Sequence, residues 1–319
     1  MKPHADKDDE LNLATLAMEY SKENKARALF KSIRWPDGAT CPHCAAQGSE
    51  CKDVYRLKPK KTSTRPGRKG LWACGVCRKQ FTVTVGTVLE GSHIPISKWL
   101  MAMFLMCSSK KGMSAHQMHR MIKVTYKTAW FMCHRIRFAM NEGPLAAMLI
   151  GTVEVDETFV GGVGDRSTKS LRQTPVVALV ERNGNVRTRV VTSVTQHNLR
   201  AALNAHVSKD AIINTDQHGA YPAAVKGYKR HDVVNHSAFE YARILSDGSV
   251  ACTNTAESFF SLLKRGVYGS FHHVSREHLS RYAHEFAFRW NNRKITDGER
   301  MEVAIEQVAG KRLTYRQCV

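Results

Sequence analysis

Three carboxylates and a lysine are the residues of this 319-residue chain best placed to do chemistry. Asp156 lies in an apolar, strand-like run, TVEVDETFVGG, and Asp216 follows a second one, AIINTDQHGAY. Glu257 opens a helical stretch, NTAESFFSLLKRG, with Lys264 seven residues further on. Such a step is about two helical turns, so both side chains fall on one helix face. Hard divalent cations take oxygen ligands, and a pair of magnesium or manganese ions can activate the attacking oxygen of a phosphodiester exchange and stabilise the leaving one. Asp156 is expected to bridge two such ions, with Asp216 and Glu257 each completing one. Lys264 is expected to meet a backbone phosphate as a compact point charge. Asn254, one turn before Glu257, is expected to cap the helix rather than contact a water at the metal.

Each of these residues also has a plainer reading. Glu154, Glu157 and Asp165 read as polar strand-edge decoration, and Glu154 shares the strand face of Asp156. Glu257 and Lys264 alone would pass for the surface of an amphipathic helix; the joint arrangement singles the set out. His272 and His273, in YGSFHHVS, read either as contacts to a DNA phosphate or as a structural hydrogen bond between helices. The glycines of FVGGVGDRSTKS suggest a flexible basic loop that rides over DNA. Phe286, Phe288 and Trp290 have helical spacing and read as core.

The elements that must position the acids follow from periodicity. Strands are expected near 151–160, 174–182, 186–195, 210–215 and 230–235. Helices are expected near 197–207, 219–225, 253–265 and 276–293. Three strands, a helix and a fourth strand is the order of a ribonuclease-H-like fold. There the first and fourth strands lie together, so Asp156 and Asp216 meet at the sheet centre, with Glu257 on a helix covering its edge.

Upstream, Cys41 and Cys44 (CPHC) are answered by Cys74 and Cys77 (CGVC), followed by a strand-like FTVTVGTVL. Two such pairs fit one tetrahedral zinc ion in a structural ribbon. The basic insert KPKKTSTRPGRKG accounts for the long spacing. Cys51, Cys107, Cys133, Cys252 and Cys318 read as buried or incidental thiols. ISKWLMAMFLMCSS, SAHQMHRMI and TYKTAWFMCHRIRFAM then read as three helices, the last two a helix-turn-helix whose third helix reads DNA. Tyr126, Lys127, Arg135 and Arg137 are its candidate contacts.

Formal net charge is +20, from 48 Lys/Arg and 28 Asp/Glu, so a polyanionic partner is expected. The charge concentrates in Cys51–Gln80 and in Ser108–Arg137, and the second run has no Asp or Glu. The first ten residues, MKPHADKDDE, lack the apolar core of a secretory signal. The longest apolar run, Trp99 to Cys107, is nine residues and too short to span a bilayer. Paired CxxC spacing suggests metal binding in a reducing cytosol, hence a cytoplasmic, nucleoid-associated protein without a membrane partner.

The motifs RWPDGATCPHC, CGVCRKQFTVTVGTVLEGSHIPISKW, KGMSAHQMHRMIKVTYKTAWFMCHRIR, VEVDETFVGG, NTDQHGAY and NTAESFFSLLKRGVYGSFHHVSREHLSRYAHEFAFRWNNR resemble bacterial insertion-sequence transposases of the insertion sequence 1595 family. That resemblance implies an N-terminal transposase zinc ribbon and an ISXO2-like catalytic domain of DDE type, with its acids at Asp156, Asp216 and Glu257. It implies hydrolytic nicking at the element's ends to free a 3′-hydroxyl, then attack of that hydroxyl on target DNA. Paired DNA ends suggest a homodimer or larger assembly. The expected architecture is an α/β ribonuclease-H-like catalytic domain with an N-terminal zinc ribbon and a helical helix-turn-helix module. Its expected boundaries are 1–36 (helical segment), 37–92 (ribbon), 93–145 (helix-turn-helix) and 146–319 (catalytic domain). Two other classes fit less of the sequence: a DNA-binding regulator with an idle core, and a structure-specific nuclease such as a junction resolvase.

Overall fold

The computed structural model describes residues 11–58, 70–143, 146–162 and 173–318. Most of the basic insert between the cysteine pairs, and the loop containing Asp165, lie outside them. The chain forms two compact units. The first gathers Met1–Ser109, Ala115–Met140 and Ile295–Val319, and the second Lys110–Ser114 and Asn141–Lys294.

In the first unit, α1 (Leu13–Glu19), α2 (Glu23–Arg34), α5 (Ala115–Ile122), α6 (Tyr126–Ala139) and α11 (Asp297–Glu306) all pack on α4 (Ile96–Ser108). The reason is composition. Helix α4 is apolar almost all round, with Trp99, Leu100, Met103 and Met106 all buried, and such a helix is stable only as a hub. The last helix starts on a reciprocal capping box, Thr296 with Glu299. Residues 295–319 therefore belong with the N-terminal unit, whereas the sequence reading carried the last domain through to 319.

The same unit holds a three-stranded antiparallel sheet, β1 (Val54–Arg56), β2 (Trp72–Cys74) and β3 (Gln80–Phe81), after a short helical turn, α3 (Pro42–Ala45). The expected strand FTVTVGTVL ends at Phe81. Beyond it the chain turns, because the Arg34 guanidinium takes the carbonyls of Val83 and Val85 and Gly86 adopts φ 71°. Trp35 packs edge-on against Trp72 and Phe81, at centroid distances of 6.3 and 6.1 Å, and ties α2 to this sheet.

The second unit is a five-stranded mixed sheet in the order β6-β5-β4-β7-β8. The long strands β4 (Thr152–Val160), β5 (Thr174–Glu181) and β6 (Val186–Val190) run antiparallel in turn. Strands β7 (Ile212–Thr215) and β8 (Arg230–Val233) add parallel on the other side of β4. Val153, Val155 and Leu179 face α7 (Gln196–His206) and α8 (Tyr221–Ala224) on one side. Val160, Val176, Ala178 and Val180 face α9 (Asn254–Gly266) and α10 (Arg276–Asn291) on the other. Burial on both faces is why β5 reads as a near-continuous apolar run. Helix α9 thus lies over a sheet face rather than its edge, a correction to the expected placement of Glu257. Phe286 and Phe288 are core, as expected. A hairpin, β9 (Ala242–Ile244) with β10 (Val250–Cys252), stands between β8 and α9 and was not anticipated. Its Asp247-Gly248 turn, with Gly248 at φ 77°, was the signal available for it.

Candidate active site

Strand pairing brings the two aspartates to one level. Thr152, Val153 and Glu154 of β4 stand opposite Ile212, Ile213 and Asn214 of β7. Two residues further along each chain are Asp156 and Asp216. The second sits just past the end of β7, where its Oδ1 accepts the His218 amide at 3.0 Å. Even-numbered β4 residues face α9, which carries Glu257 in its first turn. Lys264 follows on the same unbroken helix, and both side chains are exposed.

Glu154, read from sequence as decoration, fixes that helix. Its carboxylate is fully buried and accepts from Thr255 N (2.7 Å), Thr255 Oγ1 (3.0 Å) and Ala256 N (3.2 Å). The Arg182 guanidinium closes the other side at 3.0 Å. Glu154 thereby satisfies the open amides of the α9 N-terminus from a different element, where a negative charge is also favoured by the helix dipole. The expected cap, Asn254, is instead exposed in the first turn, and Thr253 at the N-cap makes no side-chain capping bond. Glu154→Ala leaves Arg182 without its carboxylate and two amides open. It is expected to cost about 3–5 kcal/mol in denaturant unfolding, with Glu154→Gln losing less.

The carboxylates act on one another electrically. Burial pushes Asp156 from its ordinary 3.8 up to about 7, against the pull of the Glu157 amide, with Glu157, Asp216 and Glu257 each pushing further the same way. That amide donates to Asp156 Oδ1 at 2.8 Å. Glu157 faces the opposite side of the sheet, where it accepts the buried Tyr221 hydroxyl. Burial also raises the Glu157 carboxyl, while the Tyr221 hydroxyl opposes the rise and Asp216 adds to it. Near Glu257, His236 Nε2 lies 3.6 Å from Oε1 and 3.0 Å from Thr253 Oγ1. Sequence reasoning missed His236, which arrives from a turn after β8 with no motif around it.

The sign of the resulting pH dependence follows. The folded chain holds the Asp156 proton more tightly than the unfolded chain, so ionising it from about pH 4 upward costs stability, and the cost is full above about pH 7. A cation bound there must displace that proton below pH 7. A divalent cation held by Asp156 would therefore raise the thermal midpoint more at about pH 8 than at about pH 6, its apparent affinity falling up to about tenfold per pH unit below 7.

The zinc expectation meets a closed arrangement. The ligand atoms of Cys41, Cys44, Cys74 and Cys77 all lie within 4.8 Å of one another. Cys41 and Cys77 sulfurs are 3.6 Å apart and those of Cys44 and Cys74 3.8 Å. Tetrahedral zinc with bonds of about 2.3 Å needs sulfurs about 3.8 Å apart, so the set fits a structural zinc ion. Cys51 is less incidental than expected, with its sulfur 3.6 Å from that of Cys74. Among the described residues, Asp156, Asp216 and Glu257 are not drawn together as closely as these four sulfurs.

The helical DNA contacts need correction. Arg135 is buried, donating to the carbonyls of Leu313 (3.2 Å) and Glu90 (3.0 Å), and Arg137 is buried more deeply still. Neither side chain is open to a duplex. Only the start of α6 is exposed. There Tyr126 stacks on His116 at 4.2 Å and Lys127 lies over the Tyr315 ring. Beside it, Ile94, Lys98, Arg120, Lys123 and Thr128 line a basic cleft of about 800 Å³ that sequence reading did not assemble. His272 and His273 are exposed, and His273 lines a second cleft, of about 430 Å³, with Arg276 at the start of α10.

Comparison with known proteins gives the family. Residues 148–291 match the ISXO2-like transposase domain, and residues 21–80 the transposase zinc-ribbon domain, both of the insertion sequence 1595 family. The chain belongs to that transposase family. It is 27% identical over 289 residues to a protein of Halobacterium salinarum described as "Uncharacterized protein in transposable element ISH50", covering 85% of this chain and 91% of that one. No solved structure matches the chain. No helix among the described residues is long and apolar enough to cross a membrane.

Proposed function

We propose that the chain is a DDE-type DNA transposase. It binds the ends of its insertion sequence, nicks them to free 3′-hydroxyls and joins these to target DNA. The observation that carries this reading is Asp156: a half-buried carboxylate on the central strand of a transposase-family domain, pushed up to about 7 by its surroundings and by the neighbouring acids. A half-buried carboxylate with Asp216 and Glu257 near it suits hard divalent cations, and these three residues would hold two magnesium or manganese ions. Such ions, when bound, supply activation of the attacking oxygen and charge stabilisation at the leaving one.

The chain's own residues do the rest. Pairing of β4 with β7 fixes the two aspartates, and Glu154 fixes the helix that presents Glu257. Lys264, exposed two turns along, takes a backbone phosphate. The sheet order, with β4 and β7 parallel at the centre, supports a ribonuclease-H-like core. Helices α5 and α6 serve as a helix-turn-helix that enters DNA by its exposed first turn, at Tyr126 and Lys127, with Lys98, Arg120 and Lys123 on the phosphates. His272 and His273 lie exposed for a phosphate contact. Paired ends call for a homodimer or larger assembly, working in the cytoplasm at the nucleoid. The zinc ribbon is structural and adds a basic surface for DNA.

The test uses DNA from beside the gene, carrying its flanking inverted repeat, incubated with zinc-loaded protein with and without magnesium. Magnesium-dependent nicks mapped to the repeat boundary are expected. Tight binding without nicks would favour a regulator, and nicks scattered without regard to the repeat a nuclease.

A further inference from the structure

The loop between β8 and β9 presents large aromatic side chains to water beside the acids. Phe239 is 82% exposed and Tyr241 56%. Phe239 holds a left-handed backbone, φ 58°, uncommon for a bulky residue and sustained only where the surroundings enforce it. The enforcement is visible. Asn235 accepts the amides of Ala238 and Glu240, and Glu240 returns a carboxylate oxygen to the Asn235 amide at 2.9 Å. The loop is a rigid knot with an apolar tip.

That knot touches one candidate acid and is tied to the residue next to another. Gln217, next to Asp216, donates to Ser237. His236 lies 3.6 Å from Glu257 Oε1, and its ring contacts that of Tyr241 at 5.7 Å. A strand that reaches Asp216 and Glu257 comes to the loop whose exposed side chains are Tyr241 and Phe239. In a chain of net charge +20 that occupant is a nucleic acid, and the part of it that seeks an exposed aromatic ring is an unpaired base.

We propose that Phe239 and Tyr241 form a stacking platform for a base unpaired next to the scissile phosphate. It deepens, and rests on, the reading of Asp156, Asp216 and Glu257 as a phosphoryl-transfer site. Base–aromatic stacking tolerates any sequence, because every base offers a π face. The platform thus acts on the opened duplex rather than on the identity of the end, and it favours DNA that is already unpaired at the point of cleavage.

The experiment compares two labelled duplexes carrying the flanking repeat, identical except that about three base pairs at its boundary are mismatched in one. Binding is measured by fluorescence anisotropy on full-length, zinc-loaded protein without added magnesium, so the DNA stays whole. Wild type is expected to bind the mismatched duplex about 5- to 150-fold more tightly. The Phe239→Ala, Tyr241→Ala double variant should lose this preference to within about twofold while keeping its affinity for the paired duplex. Phe239→Trp should retain it. A double variant with wild-type preference, or a wild type with none, overturns the platform. So does a double variant that changes only its sedimentation, which would make the patch a contact between proteins. Cutting is a separate readout. Loss of the preference in a chain that never nicks DNA would keep the platform and remove the phosphoryl-transfer reading. Boundary nicking with the preference intact in the double variant would do the reverse.

Discussion

Asp156→Asn is expected to lower magnesium-dependent nicking at the repeat boundary by roughly a thousandfold, about 4 kcal/mol of barrier, without unfolding the chain. Asparagine keeps the size of the side chain and one oxygen, so the Glu157 amide retains its acceptor and the β4 register is undisturbed. What disappears is the negative charge between Asp216 and Glu257 that would attract a cation pair. The same substitution removes a group whose ionisation costs stability, so the metal-free variant should melt no lower than wild type at about pH 8. Lost cutting with an unchanged or raised melting point separates a chemical role from a structural one.

Cys44→Ser should act in the opposite way, on structure before chemistry. The Cys44 sulfur is buried against that of Cys74 at 3.8 Å, and a hydroxyl is a poor ligand for zinc. Binding free energies of about 10–16 kcal/mol hold structural zinc in small domains, and much of that folds the polypeptide around it. The short strands β1, β2 and β3 bury only Ala73, Cys74 and Phe81 of their own residues and would not survive alone. Zinc content should fall from one ion per chain to well below half, with new protease cleavage between about 41 and 81. The second unit, which has its own core, should melt as before. Because EDTA would strip this zinc as well, metal dependence of cutting is better tested by leaving out magnesium.

The sheet was legible because its strands are rich in β-branched residues, alternating with acids in β4 and close to continuous and apolar in β5, which is sealed on both faces. The order of elements then placed Asp156 beside Asp216. Other features depend on partners remote in the chain. Glu154 was visibly on the Asp156 face, but nothing in β4 tells that a helix start a hundred residues later will settle on it. Arg135 and Arg137 sit in an acid-free helical stretch and read as a DNA face; the carbonyls of Glu90 and Leu313 that hold Arg135 carry no sequence mark. The helix Asp297–Glu306 was not expected from the sequence, and α4, in the first unit, receives it. The hairpin before α9 is short and largely exposed, so periodicity gave it no weight.

The most direct measurement is a count of manganese ions by calorimetry and electron paramagnetic resonance on zinc-loaded protein at about pH 8. Two manganese ions per wild-type chain, with their binding lost in Asp156→Asn and weakened in Asp216→Asn and Glu257→Gln, is the expected result. Wild-type protein that nicks DNA while binding no manganese at these residues, or an Asp156→Asn variant that binds it undiminished, would contradict the assignment of this acid cluster as the catalytic centre.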